Sequence, residues 1–124
     1  MIVLAPISVG ELVDKITILL IKQSKITDED KLYNVNKELN ELLNIADSLT
    51  IPDIGELTVQ LKQVNEELWS IEDGKRACER ISQFDHHFVE LARQVYIKND
   101  LRAKLKREIN QLCGSDIVEE KSYK

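Results

Sequence analysis

Residues 8–25, S-V-G-E-L-V-D-K-I-T-I-L-L-I-K-Q-S-K, decide the fold class and organise the rest of the chain. Ser8 followed three residues later by Glu11 is a capping box, in which the serine oxygen and the carboxylate satisfy backbone N–H groups left free at a helix start. Along the helix that begins there, Leu12, Val13, Ile16, Leu19 and Leu20 gather on one side, while Glu11, Lys15 and Lys22 share the other. Ile18 and Ile21 fall outside the main apolar arc and flank Asp14. A half-buried helix would leave both isoleucines in water, so the spacing predicts a central helix contacted on two sides.

Working outward, the whole chain of 124 residues is long enough for one domain, residues 1–124, with one core and no need of disulfides or a metal. Hydrophobic residues at 43% and charged residues at 31%, with only 4 Gly and 2 Pro, describe a helix-rich globular chain and exclude a disordered one. A net charge of −5 argues against nucleic acid or an anionic membrane as partner. Residues 1–7 lack the basic start of a signal peptide, and no apolar run approaches the roughly 20 residues of a membrane span. The expected location is the cytoplasm, where Cys78 and Cys113, at no metal-ligand spacing, read as buried thiols.

Thr27 with three acids in the following turn starts a second helix, whose Leu32, Val35, Leu39, Leu42, Ala46 and Leu49 repeat in steps of three and four. Pro52 stops it, and Asp53 with Glu56 forms a second capping box. Leu57, Leu61, Val64, Leu68 and Ile71 then repeat the same stripe, which predicts that the second and third helices pack on each other as an antiparallel hairpin. Gly74 sits on that stripe, where close approach of another backbone would explain it. Asp85 caps a fourth helix facing inward through Phe88, Leu91, Ala92 and Val95. Beyond Ile97 the apolar face rotates, so a kink or a fresh helix start is expected at Asn99 and Asp100, with Gly114 as terminator. The expectation is an all-α bundle of four or five helices, near 8–25, 28–49, 53–82, 85–98 and 100–113, with a short pairing of Ile2–Leu4 with Ile117 and Val118 as an option.

No motif carries a reaction. Glu38 and Glu41 lack the later E-x-x-D partner of a four-carboxylate Mg²⁺ cage, and His86 and His87 point about 100° apart on a helix, so no metal and no cofactor is expected. Nucleophile elbow, P-loop and dinucleotide fingerprints are all missing. Two groups of residues remain. Lys98, Arg102 and Lys106, four apart, form a stripe that an anion could use beside a helix start, and Asp14, Lys15, Asp100, Glu119 and Glu120 could instead tie such a stripe into salt bridges. Trp69, ringed by charges, and the Ile18–Ile21 edge are candidate partner contacts, against the plainer reading that Trp69 covers the edge of a core.

Four stretches carry a resemblance: P-I-S-V-G-E-L-V-D-K-I-T-I-L-L-I-K from Pro6, L-W-S-I-E-D from Leu68, N-D-L-R-A-K-L-K-R-E-I-N from Asn99 and G-S-D-I-V-E-E-K-S-Y from Gly114. The chain resembles a family of short bacterial and phage proteins known as a domain of unknown function. The resemblance implies no activity, cofactor or catalytic residue. It does imply that the polar tail is ordered against the body rather than frayed. The functional expectation is a non-catalytic helical interaction or assembly module, most simply a twofold homodimer or the partner of another protein. The alternative is a small helical enzyme or binder for an anionic metabolite.

Overall fold

The computed structural model describes residues 1–123, and among them the chain is all-α: α1 Val9–Lys25, α2 Glu29–Asp47, α3 Gly55–Arg80 and α4 His86–Cys113. Ser8 caps α1, its Oγ accepting from the Glu11 N–H at 3.1 Å. Glu11 does not close the box in return, because its carboxylate reaches Lys106 on α4. Asp28, not Thr27, caps α2 by accepting from the Lys31 N–H. The Asp53–Glu56 box is not formed: Asp53 accepts from the Gly55 N–H, one residue too early, and α3 starts at Ile54 without a side-chain cap. Asp85 and Gly114 bound α4 as expected, the glycine in the left-handed conformation that closes a helix.

α1 touches all three other helices, whereas α2 packs against α1 alone. The predicted α2–α3 hairpin is therefore replaced by two hairpins, α1–α2 and α3–α4, with α1 between its own partner and the other pair. Both apolar stripes exist but face different neighbours. Val35 and Leu39 of α2 close on Leu12, Ile16 and Leu19 of α1, and Leu61 and Val64 of α3 close on Val13, Leu105 and Ile109. The short link after α1 lets α2 fold straight back onto it, and the connection over residues 48–54 carries the chain on to α3, which packs on α1 without touching α2. Leu61 and Ile109 are fully buried, each contributing about 1.5–3 kcal/mol of apolar burial.

α4 runs unbroken through Asn99 and Asp100, so the fresh helix start expected there is not made. Its apolar face turns because its neighbours change: the early turns pack on α3, with Leu91 against Gly74, and the later turns meet α1 and α3 together through Leu105 and Ile109. Leu101 and Leu112 of the rotated set stay exposed. The close neighbour of Gly74 is thus the Leu91 side chain, 3.1 Å from where a Cβ would stand, and not a backbone. Gly74→Ala is expected to change stability by less than about 1 kcal/mol, since helix propensity gains what a small shift of Leu91 loses; urea unfolding measures it.

The optional terminal strand pairing is also absent among the described residues. A ladder of two or three residues offers few bonds, and the tail instead finds charge partners along α4. It doubles back from Gly114, Glu119 reaching Lys106, Glu120 reaching Arg107 and Lys121 reaching Asp100.

Candidate functional site

Gly10, Asp14, Thr17 and Ile21 recur at helical spacing on α1, and all four are buried toward α3 and α4. Asp14 is 0% exposed. Its carboxylate is held from two helices: Arg102 of α4 donates Nε–H to Oδ1 at 3.0 Å and Nη2–H to Oδ2, a two-pronged pair, and Asn65 of α3 donates Nδ2–H to Oδ1 at 2.8 Å. The same amide reaches Thr17 Oγ1 at 2.9 Å, and that hydroxyl donates to the Asp14 carbonyl at 2.8 Å. A buried carboxylate needs this many donors, because its desolvation is offset only when its lone pairs are filled.

One turn along α4, Lys106 is 6% exposed. Its ammonium lies between Glu11 Oε2 at 2.7 Å and Glu119 Oε2 at 2.6 Å, the second acid coming from the tail. Another turn on, Asn110 Oδ1 accepts from the Gly10 N–H at 2.6 Å. The remaining free donors at the start of α1 are taken by Ser8 and by Ser115, whose Oγ accepts from the Val9 N–H at 3.3 Å. The α4 stripe that meets α1 is therefore Arg102, Lys106 and Asn110.

Hydrogen bonding to Asp14 raises the Arg102 pKa against the opposing effect of burial. For Lys106 burial pulls the pKa down, but the hydrogen bonds to Glu11 and Glu119 outweigh it and the net direction is up. Stability from such pairs is complete below the unfolded-state pKa and is lost only as pH rises through the folded value, so both groups stay cationic across the physiological range.

Above this cluster a cleft of about 400 Å³ opens between α4 and the tail, lined by Glu11, Asn99, Arg102, Lys106, Glu119, Lys121 and Tyr123. The structure thus brings together Asp14, Arg102, Lys106 and Glu119, with Asp100 and Glu120 bridged to the tail and to Arg107 nearby. It leaves two expected members apart. Lys98 faces α3, 2.6 Å from Glu67, and Lys15 is exposed, only loosely paired with Glu11 at 3.8 Å. The helix start expected beside the stripe at Asn99 and Asp100 is not made, since α4 is continuous there; the first turn of α1 meets Lys106 instead. Ile21, a candidate partner contact, is 2% exposed and belongs to the interior, Ile18 is partly covered, and Trp69 is half-buried on α3.

Sequence reasoning missed Gly10, Thr17, Asn65 and Asn110. The signal for the first two was their spacing with Asp14 and Ile21 on one face; nothing local marked the asparagines. Among the described residues no group of three or more His, Cys, Asp or Glu side chains could hold a metal ion, and no helix is long and apolar enough to cross a membrane. Cys78 is buried and Cys113 half-buried, both free thiols, with burial pushing the Cys113 pKa up.

A family model described as a family of unknown function (DUF6165) matches residues 3–124. No curated protein and no solved structure matches the chain. A match over nearly every residue, including the tail that completes the Lys106 cluster, places the chain in that family: the protein belongs to the family of unknown function DUF6165.

Proposed function

We propose that this protein is a helical assembly module that acts as a twofold dimer. The observation that carries the reading is the uncovered side of α2. Because α2 packs on α1 alone, Leu42, Ile45 and Leu49 form the floor of a largely apolar groove of about 460 Å³, whose other wall is the N-terminal arm with Val3, Leu4 and Ile7. Leu4 is 87% exposed. Ile45 and Leu49 beside it are exposed as well, so apolar side chains of the arm and of the α2 end face water together. Arm and groove adjoin on one face, so the patch holds both an insert and a receptor for it, which is what a self-complementary twofold interface requires. Lys15 and Glu38 stand on the groove, one of each sign, which a twofold axis through the groove would allow to pair crosswise.

The two cysteines, both thiols, suit the cytoplasmic setting that belongs to the same reading. Light scattering at tens of micromolar is expected to return the dimer mass. Ile45→Glu combined with Leu49→Glu should return the monomer mass with an unchanged helical circular dichroism spectrum. A monomer mass for the parent protein would remove the proposal.

A further inference from the structure

We propose that the cleft between α4 and the tail is a binding site for a small oxyanion, carboxylate or phosphate, and that the tail's own Glu119 occupies the position such a ligand takes. The body of the site is rigid. Arg102 and Lys106 are fixed on α4 by Asp14 and Glu11, both on α1, and Glu119 fills the second carboxylate position on the Lys106 ammonium. Arg102 commits Nε and Nη2 to Asp14; a guanidinium carries five N–H groups in a fixed fork, which leaves donors for the cleft that it lines. Asn99 supplies an amide to the same cleft from α4.

Glu119 differs from the other members of the cluster. Its side chain is 51% exposed and lies on a segment without regular structure, tied to α4 through Lys106, Arg107 and Asp100. The Arg107–Glu120 pair is exposed on both sides, where such pairs contribute little and weaken with salt, and Lys106 retains Glu11 when Glu119 leaves, so no charge is stranded as the tail lifts. When it lifts, Glu119 and Glu120 leave together with Lys121, so the net charge beside α4 rises by only one unit, and Lys106 keeps Glu11 alone of its two carboxylates. A soluble oxyanion then restores the contact that Glu119 made.

The test is isothermal titration of the intact chain with succinate and, separately, with inorganic phosphate, sodium chloride serving at matched ionic strength as the control for screening. The parent should bind weakly. Glu119→Gln, which removes the internal competitor's charge at an exposed position, should bind about fivefold more tightly. Binding of one anion and not the other identifies which kind of oxyanion the site takes. Loss of binding in Glu119→Gln, affinity equal to the parent's, or heats from both anions that match chloride would each overturn the proposal. The cleft lies on the α4 side and the apolar groove on the α2 side, so light scattering of Glu119→Gln should report the parent's mass, and the two proposals fail independently.

Discussion

Arg102→Ala is expected to cost about 3–5 kcal/mol of unfolding free energy, the range for removing one partner of a buried ion pair. Asp14 has no exposure of its own, and after truncation it keeps only the Asn65 amide on its carboxylate. The charge would then sit between α1, α3 and α4 with its two-pronged partner gone. A single domain of this size has a total stability of roughly 5–15 kcal/mol, so the variant should melt well below the parent. The effect belongs to the uncompensated charge and not to the arginine as such. Replacing both residues, Asp14→Leu with Arg102→Met, should therefore recover most of the loss, although it removes more polar contact than the single change. Because Arg102 has its pKa raised by the Asp14 hydrogen bond, its charge is constant over about pH 6 to 9, and the cost of the single substitution should be flat there. Urea unfolding of the parent and both variants checks this. A single-variant loss below about 1 kcal/mol would mean that water reaches Asp14.

Gly10→Ala should destabilise, by about 1–3 kcal/mol, at a helical position where propensity alone predicts a gain of about 1 kcal/mol. A Cβ at residue 10 would stand 2.5 Å from the Lys106 carbonyl oxygen and 2.8 Å from Asn110 Oδ1. The first of these belongs to the backbone of α4 and cannot rotate away. Relief requires α1 and α4 to separate at the point where the Gly10 N–H donates to Asn110 and where Lys106 spans to Glu11. The loss should thus exceed that of Gly74→Ala, whose Cβ meets only the flexible end of Leu91. The comparison separates helix propensity from interhelical clearance: unfolding curves that rank the two variants the other way would show that α1 and α4 are not in close contact.

The capping of α1 by Ser8, the termination of α4 by Gly114 and the central position of α1 were legible in the sequence, because each depends on residues within a turn or two of one another. The stripes of α2 and α3 were legible as stripes. Their addressees were not, since leucine and valine at steps of three and four present the same surface to any helix, and the pairing with α1 is set by the length and route of the links. The candidate site divides in the same way. The alternatives for Arg102 and Lys106, salt bridges or an anion, were visible in their spacing and in the supply of acids, and Asp14 and Glu119 are among those acids.

What the sequence by itself determined is therefore the inventory: an all-α chain, its helix limits within a few residues apart from the break expected at Asn99 and Asp100, and a set of charges too many for a simple apolar core. Only the tertiary structure decided which charges meet. Asp14 and Arg102 stand 88 positions apart, and Gly10 and Asn110 are separated by 100. A hydrogen bond is directional and short, so such pairs form only where two helices cross at one register, and no local pattern in the chain records that register.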